Sequence, residues 1–165
     1  MNNPFINQSI TNQPKLGGHT CIIKNVVEKK SRAGRDMIEV DLDFDESDMQ
    51  SGYFAEMSEQ NQRRWPFQGR KYILVRDYNH PDRVNPAFRS FIAAYEKSNG
   101  EKVVWGGDNW GGQFVGKKIG VVYGNVQSSY QGFVEIRPEP RWFCSITDVS
   151  KQKIPKDKFL KGYST

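Results

Sequence analysis

Met37-Ile38-Glu39-Val40-Asp41-Leu42-Asp43-Phe44 alternates apolar and acidic residues without a break. A period of two is the signature of a β-strand with one buried face. Ile38, Val40, Leu42 and Phe44 then point into a core. Glu39, Asp41 and Asp43 point the other way, as a solvated or partner-facing strip; a divalent-ion site is the lesser reading. Upstream, Thr20–Glu28 (TCIIKNVVE) is rich in β-branched residues and reads as a strand. Ser31–Arg35 supplies the turn between the two, with Gly34 free to take a positive φ.

Downstream, residues 45–70 show no periodicity and carry Gly52, Pro66 and Gly69, so an irregular insertion is expected there. Lys71–Tyr78 (KYILVRDY) reads as a third strand, followed by turn chemistry at Asn79–Asp82. Asn85 and Pro86 open a helix as N-cap and first helical residue. Phe88, Phe91, Ile92 and Tyr95 give it one apolar stripe, and Asn99-Gly100 ends it. Lys117–Asn125 reads as a fourth strand, residues 127–132 as a hairpin tip, and Phe133–Arg137 as the returning strand. Pro138 and Pro140 force a break or bulge, and Arg141–Val149 resumes. The order strand, strand, strand, helix, strand, strand is that of a mainly β, five-stranded Greek-key barrel of the OB-fold kind, with its α-helix between strands 3 and 4. A single antiparallel sheet with one helix gives the same order. Residues 1–15 are expected to form a flexible polar arm, 16–150 the domain, and 151–165 a basic C-terminal tail.

A chain of 165 residues suits one domain, and 36% hydrophobic with 26% charged residues excludes a membrane-embedded protein. The opening MNNPFINQSITNQPKLGG has no basic region followed by an apolar one, so no secretory leader and a cytoplasmic setting are expected. Cys21 and Cys144 are then reduced, buried thiols. The net charge of +5 is unevenly spread. Seven acids and no base lie between Asp41 and Glu59, whereas nine bases and four acids lie between Lys117 and Lys161. Such segregation favours a polyanionic partner on one face and leaves another face acidic.

Bases of a single strand stack on aromatic rings while phosphates pair with Lys and Arg. The chain has 21 aromatic residues, several beside cations: Arg63-Arg64-Trp65, Arg70-Lys71-Tyr72 and Arg141-Trp142-Phe143. The first hairpin carries Lys29, Lys30, Arg32 and Arg35; the last carries Tyr130 at its tip and Arg137 on its return, and Lys117 and Lys118 open the fourth strand. The candidate nucleic-acid-binding residues are therefore Lys29, Lys30, Arg32, Arg35, Arg64, Trp65, Lys71, Tyr72, Lys117, Lys118, Tyr130, Arg137, Arg141 and Trp142. The competing reading puts many of these rings in the core. In Trp105-Gly-Gly-Asp-Asn-Trp110-Gly-Gly the tryptophans either stack on a ligand or plug the end of the barrel, and the plug is preferred. It lacks the GK[ST] ending of a phosphate loop. His19, Cys21, His80 and Cys144 have no zinc spacing, and Asp77, His80 and Asp82 share ordinary turn composition, so neither a metal, a cofactor nor catalysis is expected.

Gly17-Gly18-x-Thr20-x-x-Ile23, the Gly34 turn, Ile38-x-Val40-x-Leu42-x-Phe44 and Phe91-Ile92…Glu96-x-Ser98-Asn99 together resemble a largely uncharacterised family of small proteins of tailed phages and prophages. Gly116-Lys117-x-x-Gly120, Gly124, Tyr130-x-Gly132 and Ile154-Pro155 extend the resemblance to roughly Leu16–Phe159. The resemblance implies an OB-fold binder of single-stranded DNA serving phage replication or recombination. It departs from well-known bacterial single-strand binding proteins in ending Lys161-Gly-Tyr-Ser-Thr165, neither acidic nor Phe-tipped; the acidic stretch 41–59 is the alternative place to recruit replication or recombination partners. The rival expectation is a β-rich phage interaction or assembly protein, with acidic and basic faces pairing between subunits of a homo-oligomer. A metal-dependent nuclease is a distant third.

Overall fold

A computed structural model of the chain describes residues 13–160; most of the arm and the last five residues lie outside it, as does the side chain of Tyr130. Five strands form one antiparallel sheet in the order β3-β2-β1-β4-β5, made by β1 (Gly17–Lys30), β2 (Asp36–Phe44), β3 (Arg70–Leu74), β4 (Lys118–Tyr130) and β5 (Phe133–Cys144). Helices α1 (Tyr53–Gln60) and α2 (Pro86–Asn99) complete the fold with short 3-10 turns at Phe67–Gly69, Trp110–Phe114 and Ile146–Lys151. The segment expected to be irregular thus contains a helix and a turn. Asp43 decides this locally, because its carboxylate accepts from the N–H groups of Phe54 and Ala55 at the start of α1.

Ile38, Val40, Leu42 and Phe44 are buried as the alternation requires, packed with Ile23, Phe54 and Tyr123. On α2, the Asn85 side chain accepts from the Ala87 N–H over 2.9 Å and Gly100 ends the helix in the left-handed region. Its buried stripe meets β5 and the 110–114 turn through Phe91 against Phe143 at 5.1 Å and Tyr95 against Phe114 at 4.7 Å.

The acids on the other face of β2 are not a solvated strip. Glu39, Asp41 and Asp43 are all buried. Lys29 Nζ lies 2.9 Å from Glu39, and Arg70 Nε lies 2.7 Å from Asp41. A buried carboxylate without partners would cost several kcal/mol; β1 and β3 bring cations to Glu39 and Asp41, and backbone N–H groups serve Asp43. Beyond β2, Asp45 and Glu46 meet Lys118 at 3.2 and 2.7 Å, and Asp48 meets His19 at 2.7 Å. Five acids of the 41–59 stretch are therefore engaged within the domain. Glu56 and Glu59 of α1 remain exposed.

The sheet stays open between β3 and β5: among the described residues no ladder joins them. Pro138 presents its carbonyl to Gln68 Nε2 over 2.8 Å at that edge, where it has no N–H to offer a neighbouring strand. The Tyr123 hydroxyl donates to Gln68 O over 2.7 Å, so Gln68 bridges the two margins of the seam. The expected disturbance at the prolines is a bulge. Trp142 pairs with Val122 and Pro140 with Tyr123, leaving Arg141 as the extra residue.

The C-terminal segment is docked as far as it is described. The 146–151 turn lies on β1, where a Cβ at Gly18 would stand 2.3 Å from the Val149 carbonyl oxygen. β1 pairs with β4 only as far as Tyr123. Past that point the C-terminal segment takes the vacant side of β4: Lys158 N–H donates to Asn125 O over 2.9 Å and Gln127 N–H to Lys158 O over 2.8 Å.

Candidate nucleic-acid interface

The open seam gathers charge. Glu139 on β5 feels Lys71 from β3, Lys158 from the C-terminal segment, and Arg137 and Arg141 from its own strand. Burial pushes the Glu139 carboxyl up, and those four cations pull it back. Burial likewise pushes the Lys71 ammonium down, and neighbouring Lys158 and Arg141 push it further. Four cations against Glu139 and Glu135 leave the seam short of negative charge. Arg137 also pairs with Glu135.

Two exposed rings flank this cluster. The Arg137 guanidinium lies 5.7 Å from the Phe67 ring centroid, and that of Arg141 lies 5.7 Å from Trp142. Phe67 is 48% and Trp142 41% exposed. Flat rings beside cations form the arrangement a single strand uses, bases on the rings and phosphates on the cations. Gly124 makes it possible for Arg141 to reach the C-terminal segment: a Cβ there would sit 2.9 Å from Pro155 Cβ and 3.0 Å from Arg141 Cγ.

No family model and no curated protein matches this chain.

The remaining sequence candidates are placed elsewhere. Lys29 and Lys30 are paired with Glu39 and Asp36, Lys117 lies 3.2 Å from Glu101, and Lys118 is held by Asp45 and Glu46. Trp65 donates its indole N–H to Leu42 O and Gly69 O at 3.1 and 3.0 Å, which makes it a strut between β2 and the 67–69 turn. Tyr72 is exposed on the outer face opposite Glu39. Arg35 lies 4.2 Å from the centre of the Tyr78 ring and donates to Tyr78 O over 2.8 Å. Arg32 and Arg64 are exposed and carry no ion pair among the described residues. The candidates thus divide: Lys71, Arg137, Arg141 and Trp142 come together at the seam, Arg32 and Arg35 sit at the first hairpin, and the tip residue Tyr130 has no described side chain.

Sequence reading missed Phe67, Glu139 and Lys158. Phe67 lay in a stretch without periodicity, and Lys158 was one lysine among several in the tail. Only the path of residues 152–160 along β4 brings Lys158 to the seam.

Cys21 and Cys144 are unbonded thiols. Burial raises both, Cys144 to about 11. Among the described residues no three His, Cys, Asp or Glu side chains gather to hold a metal, and no helix is long and apolar enough to cross a membrane.

Proposed function

We propose that this protein binds single-stranded DNA without sequence selection and without chemistry of its own. The observation that carries the reading is the seam beside the exposed rings of Phe67 and Trp142. There Lys71, Arg137, Arg141 and Lys158 act on Glu139, and among the described residues only Arg137 of these four has a further ion pair, with Glu135. The strand order β3-β2-β1-β4-β5, with α2 between β3 and β4, supports an OB-type sheet opened along its β3–β5 margin. The resemblance to tailed-phage proteins then gives the setting, replication or recombination in the host cytoplasm.

Titration with a dT oligonucleotide across a salt series tests the proposal. The logarithm of affinity falls linearly with log salt if lysines and arginines release the counterions of the strand's phosphates. Failure to bind any oligonucleotide at low salt removes the proposal.

A second reading, an assembly protein, draws on the β4–β5 ribbon, where Phe133, Val134 and Ile136 are exposed. Exposed apolar residues on one ribbon suit a protein partner. Light scattering separates the two: a stable oligomer indifferent to oligonucleotide favours assembly.

A further inference from the structure

The tryptophans of the Gly/Trp loop have different fates. Trp110 is 7% exposed and plugs the core beneath α2, stacked on Phe88 at 6.4 Å. Trp105 is 61% exposed and lies on Trp110 at 5.4 Å with the planes 23° apart. Phe88 also lies 6.3 Å from Trp105, so the three rings form a triangle of which Trp105 is the exposed corner. An exposed indole forfeits burial of a large apolar surface, and Gly106 and Gly107, both at positive φ, carry the chain away beside it. Among the described residues the buried Trp110 Nε1 has no hydrogen-bond partner, which is unusual for an indole N–H withdrawn from water.

These rings line a cleft of about 250 Å³ with Met37, Ile38 and Val75. Three charged residues also line it. Lys29 is held by Glu39 and Asp36 by Lys30. Glu28 has no ion pair among the described residues, so it is the one charge left to a ligand. Asp36 also lines a second cleft, of about 180 Å³, that contains Lys30, Arg35 and Arg76. An apolar stacking cleft thus adjoins a cationic one, the two halves that a nucleotide needs.

We infer that the Trp105 cleft takes one nucleotide, its base stacked on Trp105 and its phosphate against Arg35 and Arg76. At this one position, and not along the strand held at the seam, Glu28 favours bases with an exocyclic amine, since a carboxylate accepts from the N4 amine of cytosine and finds no such donor on thymine. The inference rests on the single-strand reading only for where the nucleotide comes from; the cleft itself lies apart from the seam residues.

Calorimetric titration of the full chain with dCMP and dTMP tests this directly. The expected result is dCMP binding tighter than dTMP, weakened about tenfold or more by Trp105→Ala and largely restored by Trp105→Phe. Glu28→Gln narrows the dCMP-to-dTMP ratio, and Arg64→Ala, outside both the cleft and the seam, leaves dCMP binding unchanged. Circular dichroism confirms the fold of each variant; Trp105 is exposed enough that its loss opens no cavity. No dCMP binding at millimolar concentration, or equal binding by wild type and Trp105→Ala, overturns the inference. A dT oligonucleotide that binds while dCMP does not removes the cleft and leaves the seam; dCMP binding without oligonucleotide binding does the reverse.

Discussion

The Arg141 guanidinium donates to the Lys156 carbonyl oxygen over 3.0 Å, tying the bulged residue of β5 to the C-terminal segment. The same segment carries Lys158 to Glu139. Gly124 sits beneath this junction, with no room for a Cβ between Pro155 and Arg141. Gly124→Val is expected to displace the segment, lowering stability by about 1–3 kcal/mol and weakening oligonucleotide binding. Thermal unfolding and a low-salt titration check both effects, and unchanged affinity would separate the segment from the site.

Arg141→Ala and Lys158→Ala each remove one phosphate partner. Each is expected to lower oligonucleotide affinity and to flatten the log–log salt slope by about 0.7, the increment for a single-strand contact. Trp142→Ala should weaken binding by about 1–3 kcal/mol with the slope preserved. Loss of structure in that variant, seen by circular dichroism, would assign the ring to packing.

Trp65→Phe tests the opposite role. It removes the donor to Leu42 O and Gly69 O, so stability is expected to fall by about 1–2 kcal/mol. Denaturant unfolding measures this, and the salt slope of oligonucleotide binding should stay as in wild type.

Asp43→Ala strips α1 of its first-turn acceptor, as well as the acceptor of Phe44 N–H. The expected cost is about 1–3 kcal/mol, with helix content falling in far-UV circular dichroism. Equal stability of the variant would mean that water serves these N–H groups as well.

Burial works to raise Glu39, yet hydrogen bonds from Lys29 and Tyr72 and the Arg70 charge hold its carboxyl below the ordinary value of 4.5. A depressed folded value stabilises the protein above the unfolded value, and that stability is lost as pH falls through the folded one. Unfolding measured between neutral pH and strong acid should show this loss below about pH 4.5. Glu39→Gln should be less stable at neutral pH and flatter through the acid range; an unaltered pH profile would show that Glu39 does not contribute.

The strands and the helix were legible where one residue type repeats for one physical reason. The alternation of Met37–Phe44 identifies the buried face of β2, and Asn85-Pro86 with Gly100 marks both ends of α2. Helix α1 was not legible, because its start is fixed by Asp43 from another strand and its sequence has little apolar periodicity. The acids of β2 show the same limit. Alternation tells which face they take but not that Lys29 and Arg70 cover them. At the seam, Arg141 and Trp142 were legible as a cation beside a ring, whereas Phe67 and Lys158 were not.

By itself the sequence determined the local periodicities, the cap residues, the prolines that disturb β5 and the uneven spread of charge, since each depends on neighbours along the chain. Tertiary structure alone decided which cations are spent on Glu39, Asp41 and Asp45 and which remain at the seam. Ion pairing depends on distance in space, and strand pairing brings together residues as far apart in sequence as Lys71, Glu139 and Lys158.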